Sequence, residues 1–446
     1  MFGNSLISIK LGGLIKNKKA KVAVIGLGYV GLPTAVEIAK AGYKVFGIDI
    51  KKRRVDSVNR GNSYILDVPS KELKEVVKNK GLVAFDDYQP LKKADIILIC
   101  VPTPLDKNKV PDVSYIVSTV EEIVKFLHKG QLVVLESSTY PGTTREVILP
   151  RLERSKLKIG RDFFLAFSPE RIDPGNKIYT FKDVSRVVGG ITKKCTQLAM
   201  EFYKGFIKAG VMPLSSTEAA EMTKILENTF RLVNISMINE LALFCGKMGI
   251  DIWEVIEAAK TKPYGFMPFY PSPKIGGHCI PLDPFYLSYK AKEYNFWTRF
   301  IELAGEINEQ MPHYVITRII SVLNQNEKSV KGSRLLVWGV TYKKDIAHSR
   351  ESAVYDVVPN LLKRGAKVDY FDPFIPKIEL RNGRLDKPQV LKSIKYGPVC
   401  LKNYDLVLIL TDHSGFDYNE LAKKSKLVVD TRNAIKSRRY KNVSWF

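Results

Sequence analysis

Residues 21–28, KVAVIGLG, form a short apolar, β-rich run that ends in Gly26-x-Gly28-x-x-Gly31, and a helical pattern, PTAVEIAKA, follows at 33–41. A strand that enters a helix through three glycines at this spacing has few folded destinations. The first glycine permits a tight turn, the second lets the backbone approach a pyrophosphate, and the third lets helix and strand pack closely. The helix N-terminus adds unpaired N–H groups and the positive end of its dipole. Glycine turns are common, so the motif alone is weak. Its context strengthens it: Asp49 closes the next apolar run, KVFGIDI at 44–50, 18 residues after Gly31, where a carboxylate can hold a ribose 2′-hydroxyl. The stretch therefore predicts a Rossmann unit in which Gly26, Gly28, Tyr29, Val30 and Gly31 line a dinucleotide. Asp49 favours NAD, because its charge repels a 2′-phosphate; Arg53 and Arg54 keep NADP open as the alternative.

Further apolar runs at 95–101 (DIILICV) and 132–137 (LVVLES) alternate with helical patterns such as 113–128. Buried strands that alternate with helices predict a parallel sheet covered on both faces. Two of the strand ends carry Thr103 and Thr139. Ligands bind at the carboxyl ends of parallel strands, so both can touch the cofactor; capping or turn roles are the alternative for each. From 217 to 260 and from 290 to 325 apolar residues recur at helical spacing, which predicts a helical middle with one long helix. The Pro-, Gly- and aromatic-rich stretch 261–286 between them reads as a loop. Strand patterns return at 334–342, 367–373, 405–410 and 426–432, with a helix at 352–364, and predict a second α/β domain. The expected boundaries are 1–212, 213–325 and 326–446.

The 446 residues include 70 Lys and Arg against 46 Asp and Glu, a net charge of +24. Such a charge invites polyanions, yet the basic residues are scattered, and no zinc-finger spacing, basic heptad or ribonucleoprotein motif appears. A solvated basic surface without nucleic acid is the expectation. The five cysteines, Cys100, Cys195, Cys245, Cys279 and Cys400, contain no C-x-x-C pair. They indicate neither a zinc site nor a disulfide framework, and fit a reducing cytoplasm. No apolar stretch is long enough to cross a bilayer, and the N-terminus does not read as a signal peptide. No metal site is expected.

Two places carry candidate chemistry. Glu221, Lys224, Asn228 and Arg231 follow one another at intervals of three, four and three on the middle helix, hence on one face. That face is either solvated or turned to a cleft; in a cleft, Lys224 can move a proton or stabilise an oxyanion and Asn228 can donate from its amide. Cys279 lies in Gly276-Gly277-His278-Cys279-Ile280-Pro281-Leu282-Asp283. Glycines let a substrate approach the thiol, and a thiolate is a good nucleophile toward an aldehyde. A lone cysteine is more often structural, as Cys100 and Cys245 read in their apolar segments. His278 reads as a neighbour and not a base. A dinucleotide fold with a loop cysteine points to aldehyde oxidation through a thiohemiacetal and a thioester.

Taken in order, IGLGYVGLP (25–33), VPTPL (101–105), SSTYPGTT (137–144), FSPERIDPGN (167–176), KILENTFRLVNI (224–235), GGHCIPLDPFYL (276–287) and YKKDIAHSRES (342–352) resemble the UDP-glucose/GDP-mannose dehydrogenase family over nearly the full length. Within it, SPERIDPGN and HCIPLDPFYL are most similar to UDP-N-acetylglucosamine 6-dehydrogenases. The resemblance implies NAD-dependent oxidation of a UDP-sugar C6 alcohol to the acid, with two NAD per turnover, in polysaccharide biosynthesis. It implies Cys279 as covalent nucleophile, Lys224 and Asn228 at the alkoxide, Asp283 beside the attacking water and Glu170 as an acid or base. Glu170, Arg171, Lys224, Asn228, Arg231, Lys274, Gly276, Tyr342 and Lys343 would meet the nucleotide sugar. Asp49, Arg54, Thr103, Thr139 and Arg350 would join the glycines at the cofactor. It implies an NAD-binding Rossmann domain, a central helical domain and a C-terminal Rossmann-like UDP-binding domain, and a homodimer or higher homo-oligomer built on the long helix.

Two departures from the family pattern stand out. A second acidic residue falls at Pro174 here, leaving its role vacant or taken by Asp173, and Leu282 replaces a lysine. Both disfavour UDP-glucose, with UDP-N-acetylmannosamine the nearest alternative substrate. Two-electron hydroxyacid dehydrogenases share the Rossmann start and a Lys-x-x-x-Asn helix but need neither Cys279 nor a third domain. A non-enzymatic NAD-binding regulator is the distant alternative.

Overall fold

The computed structural model describes residues 6–65, 67–106, 108–172, 176, 178–380, 388–395 and 401–446. The chain divides into two units, residues 1–227 with 285–297, and residues 228–284 with 298–446.

In the first unit eight strands form one sheet: β1 (Lys21–Ile25), β2 (Lys44–Ile48), β3 (Leu82–Phe85), β4 (Ile96–Ile99), β5 (Leu132–Leu135), β6 (Phe164–Phe167), β7 (Arg186–Gly190) and β8 (Val211–Leu214). Their order is β3-β2-β1-β4-β5-β6-β7-β8. Every neighbouring pair is parallel except β6 and β7. Strands β4, β5 and β6 are buried at every residue, as expected of strands covered on both faces. The helices Gly31–Lys40, Ser114–Phe126 and Lys193–Lys204 bury apolar stripes in this unit. The helix Leu6–Lys16 buries Leu11 and Ile15 in the same core as Leu198 and Phe202. The order reverses between β1 and β4, so their carboxyl ends open the crevice where doubly wound sheets bind nucleotides.

The strand patterns of the sequence correspond to β1, β2, β4 and β5. Strands β3, β6, β7 and β8 extend the sheet beyond them.

In the second unit β9 (Arg334–Trp338), β10 (Lys367–Phe371), β13 (Leu406–Ile409), β14 (Val428–Asp430) and β15 (Val443–Trp445) form a parallel sheet of order β10-β9-β13-β14-β15, while β11 (Lys377–Leu380) and β12 (Gln389–Lys392) pair antiparallel. The helix Arg299–Gln325 buries Met311, Val315, Ile319 and Leu323 in one core with Val354, Val357 and Leu361 of the helix Val354–Lys363. The switch of strand order falls between β9 and β13.

The long helix runs from Thr217 to Met248, 32 residues, starting in the first unit and ending in the second. The helix Ile252–Lys260, capped by the Asp251 side chain on the Trp253 amide, packs Ile252, Trp253 and Ile256 on Ile238 and Ala242. From 261 to 282 the chain has neither helix nor strand. The loop expected through 286 ends earlier: the amides of Leu282 and Asp283 bond back to the Cys279 carbonyl at 3.1 and 2.8 Å, and a helix starts at Asp283 and runs to Lys292.

Candidate active site

The glycine turn after β1 has the shape a dinucleotide requires. Gly26 has φ +93°, and a Cβ there would come within 2.6 Å of the Cys100 carbonyl oxygen across the β1–β4 crevice. A Cβ at Gly31 would run into the Gly26 carbonyl oxygen, whereas one at Gly28 would meet nothing within 4 Å. The first and third glycines are therefore closed by protein and the second faces space, the arrangement that admits a pyrophosphate. Tyr29 is exposed and Val30 half-buried beside it. Asp49 is buried and accepts from the amides of Leu27 and Lys51, each at 2.9 Å, and from Arg54 at 3.0 Å. A carboxylate has about four acceptor sites, so Asp49 keeps one for a ribose hydroxyl among the described residues. The same contact ties Arg54 to Asp49, which disfavours its use for a 2′-phosphate.

Thr103 and Thr139 both have protein partners. Thr103 donates to the Ser138 carbonyl at 2.7 Å, and buried Thr139 bonds the Thr143 hydroxyl at 2.7 Å. They shape the loops that follow β4 and β5.

Glu170 follows β6. One carboxylate oxygen accepts from the amides of Arg171 and Ile172 at 2.7 and 2.8 Å, and the other is paired with Arg186. Arg186 is buried beneath it, donates to the Pro169 carbonyl at 2.7 Å, and lies over the rings of Phe181 and Tyr203. Tyr203 in turn donates to buried Glu136, which also receives the Cys100 thiol at 3.4 Å. Burial pushes the Glu136 carboxyl up, with the Arg186 charge opposing. Sequence reading missed Arg186 and Glu136, since neither belongs to a motif. Arg171 is anchored on the Ser185 carbonyl at 2.7 Å and the Glu227 carboxylate at 2.5 Å. Asp173 and Pro174 lie outside the described residues.

The polar face of the long helix splits. Glu221, Lys224 and Asn228 are buried and Arg231 is exposed, so a uniformly solvated face is excluded. Glu221 faces no cleft. It receives the amides of Gly142 and Thr144 and the Thr144 hydroxyl at 2.6, 2.8 and 2.7 Å, and thereby anchors the loop after β5. Asn228 donates to Asp283 at 2.7 Å. That bond joins the long helix to the first residue of the helix that follows the cysteine loop.

Cys279 is the one exposed cysteine among the described residues; Cys100 and Cys195 are buried and Cys245 is partly so. Its loop is braced from behind. A Cβ at Gly276 would lie 2.6 Å from the Tyr342 Cβ and 2.7 Å from the Glu351 carbonyl oxygen, and one at Gly277 2.9 Å from the Tyr342 ring. The Gly277 amide donates to the Arg350 carbonyl at 3.1 Å, while the Arg350 residue itself is exposed. His278 meets His348 edge to face, ring centroids 4.7 Å apart. Burial, with the nearby Arg350 and His348 charges, lowers the His278 pKa to about 4. It is therefore neutral and a poor base near pH 7. Lys274 is half-buried, its side chain paired with Asp356 at 2.8 Å and Glu309 at 3.4 Å. Lys343 is half-buried, with its carbonyl held by the Thr341 hydroxyl at 2.8 Å.

Three family models match the chain: the UDP-glucose/GDP-mannose dehydrogenase NAD-binding domain over residues 20–207, the central domain over 218–310 and the UDP-binding domain over 336–437. The chain belongs to the UDP-glucose/GDP-mannose dehydrogenase family. As a member it is an NAD-dependent dehydrogenase with NAD as cofactor. It is 40% identical over 359 residues, 80% of this chain and 84% of the relative, to a UDP-N-acetyl-D-glucosamine 6-dehydrogenase of Pseudomonas aeruginosa. It is 33% identical over 438 residues, 95% of each chain, to a UDP-N-acetyl-D-mannosamine dehydrogenase of Methanococcus maripaludis. Its fold superposes on the structure of a UDP-D-ManNAc dehydrogenase from Pyrococcus horikoshii with a TM-score of 0.85 at 32% identity, covering 95% of this chain and 98% of the other. Among the described residues no cluster of His, Cys, Asp and Glu could hold a metal, and no helix is long and apolar enough to cross a membrane.

Proposed function

We propose that this dehydrogenase oxidises the C6 alcohol of a UDP-N-acetylhexosamine twice, to the carboxylate, through a thiohemiacetal and a thioester on Cys279, with UDP-GlcNAc favoured over UDP-ManNAc and UDP-glucose. The observation that carries this reading is the exposed thiol of Cys279 in a glycine-braced loop, four residues ahead of a buried Asp283 that is bonded to Asn228. A two-electron hydroxyacid dehydrogenase needs no such thiol. NAD at the glycine cradle supplies the hydride acceptor, two molecules per sugar.

The protein's part follows in order. Lys224 takes up the proton or stabilises the alkoxide of the first oxidation, with Asn228 one helical turn on. The thiolate of Cys279 adds to the C6 aldehyde, and loss of the second hydride leaves a thioester. Asp283 orients the water that replaces sulfur and returns the thiol. Asp283 suits that role better than Glu170, because its amide bonds the Cys279 carbonyl at 2.8 Å and so ties it to the thiol's loop, whereas Glu170 is paired with buried Arg186. The HCIPLDPFYL loop with Leu282, and the names borne by the similar proteins, support a hexosamine over glucose. The boundaries 1–212, 213–325 and 326–446 remain our division into NAD, central and UDP-sugar domains.

We read the assembly as a homodimer on the long helix. Leu226, Phe230, Met237, Leu241 and Phe244 are 42 to 58% exposed and recur at helical spacing, a stripe that a second copy of the same helix can cover by two-fold pairing.

The deciding experiment is NADH released per sugar consumed, with UDP-GlcNAc, UDP-ManNAc and UDP-glucose offered separately. Two NADH per UDP-GlcNAc supports the whole reading. Activity confined to another sugar replaces the substrate, and one NADH with accumulating aldehyde removes the thioester.

A further inference from the structure

The C-terminal sheet repeats the first glycine and the acid of the dinucleotide cradle, with Thr341 and Lys344 at the places of Gly28 and Gly31. In the first unit the Gly26 amide donates to the Ile48 carbonyl at 2.7 Å, and Asp49, after β2, accepts the Leu27 amide. In the second the Gly339 amide donates to the Phe371 carbonyl at 2.8 Å, and Asp372, after β10, accepts the Val340 amide at 2.7 Å. Gly339 also has positive φ, +79°, and a Cβ there would meet the Thr411 carbonyl oxygen at 2.5 Å, as one at Gly26 would meet Cys100. Asp49 leaves one acceptor site open among the described residues. Asp372 leaves none: one oxygen accepts the amides of Phe374 and Ile375 at 2.8 and 3.1 Å, and the other accepts Val340 and the His413 ring at 3.1 Å. The place that receives a ribose hydroxyl in the first sheet is occupied in the second by a side chain of the same protein.

The state of that histidine is set by its neighbours. The Asp345 amide donates to His413 Nδ1 at 3.0 Å, so Nδ1 is bare and Nε2 carries the proton toward Asp372. Nε2 also lies 3.3 Å from the Thr341 hydroxyl, which donates onward to the Lys343 carbonyl. The Thr411 hydroxyl holds the Thr341 carbonyl at 2.5 Å, and the Asp345 carboxylate takes the Ser414 amide and hydroxyl at 2.9 and 2.7 Å. The segment 341–350 is thus tied to 411–414 at Thr341 and Asp345. It carries Tyr342 and Arg350, the residues that brace Gly276 and Gly277 ahead of Cys279.

We infer that His413 is a positioning residue for nucleotide-sugar binding: its neutral imidazole, bridging Asp372 and the Asp345 amide, holds segment 341–350 in the form that receives the nucleotide. This rests on the proposed reading of Tyr342 and Lys343 as part of the UDP-sugar site. Asparagine at 413 can set an oxygen near the position of Nδ1, glutamine reaches only the position of Nε2, and alanine reaches neither. Each variant of the full chain is measured for UDP and NAD affinity by calorimetry, and for amide exchange in 341–350 by mass spectrometry. His413→Ala and His413→Gln should weaken UDP binding by about tenfold, the equilibrium scale of one buried hydrogen bond. They should also speed exchange in the segment and leave NAD affinity within about twofold. His413→Asn should restore both UDP affinity and protection. Unchanged exchange in His413→Ala overturns the inference whatever UDP does, and so does an equal loss of UDP and NAD affinity in all three variants. If the unaltered protein does not bind UDP, the substrate reading fails, and the exchange measurement alone still judges His413.

Discussion

Glu221 receives both the amide and the hydroxyl of Thr144, at 2.8 and 2.7 Å, so the loop after β5 hangs from a carboxyl on the long helix. Burial pushes that carboxyl up to about 7 from 4.5, against the pull of Thr144 and Gly142. Between those two values the folded chain holds a proton that the unfolded chain has released, so rising pH favours unfolding. We expect Glu221 to remove about 3 kcal/mol of stability as pH rises from about 4.5 to 7. Glu221→Gln should abolish that share of the slope in urea-unfolding midpoints taken at several pH values; parallel curves for the two proteins would refute it.

Gly28 and Gly31 separate binding from folding. Gly28→Ala meets open space and should melt close to the parent while losing NAD affinity by about tenfold or more. Gly31→Ala drives a methyl into the Gly26 carbonyl, and should lower the melting temperature by several degrees as well. Melting curves with and without NAD distinguish the two outcomes.

Cys279→Ala should cut acid formation by at least about a thousandfold, the scale of removing a covalent nucleophile. Asn228→Ala takes a donor from Asp283 and should lower kcat by about ten- to a hundredfold while NAD affinity holds. Product analysis by mass spectrometry tests the first, steady-state kinetics the second.

Arg186 is fully enclosed and carries a charge that Glu170 neutralises. Arg186→Met removes one partner of a buried pair and should cost about 3–5 kcal/mol. Arg186→Lys retains the charge without the fork that reaches both Glu170 and the Pro169 carbonyl, and should recover only part of it. Denaturant unfolding measures both; a loss below about 1 kcal/mol in Arg186→Met would contradict this account.

Charging the exposed stripe should break the assembly. Phe230→Glu together with Phe244→Glu is expected to give monomers in sedimentation velocity at concentrations where the parent is dimeric. A parent that sediments as a monomer removes the dimer.

How much of this was legible depended on whether a residue's partner lies nearby in sequence. The turn from Gly26 to Gly31 and its acid Asp49 span a single βαβ step, so spacing together with strand and helix context points to the cradle. Cys279 stood out because Gly276 and Gly277 stand three and two residues before it. Glu221 could not be read from its face of the helix, because a helix records direction and not what lies opposite; its partners are 77 and 79 residues away. Arg186 and Glu136 are linked through Tyr203, and no local pattern in the sequence pairs them. His413 looked like one polar residue in a loop, and only the fold brings Asp372 and Asp345 to its two nitrogens.

The saturated carboxylate of Asp372 bears on inhibitor design. A compound that grips Rossmann folds through a vicinal diol finds an open acceptor at Asp49 and an occupied one at Asp372, where it would have to evict an imidazole already hydrogen-bonded on both sides. Adenosine-based inhibitors should therefore titrate at one equivalent per chain, despite the two similar cradles the chain contains.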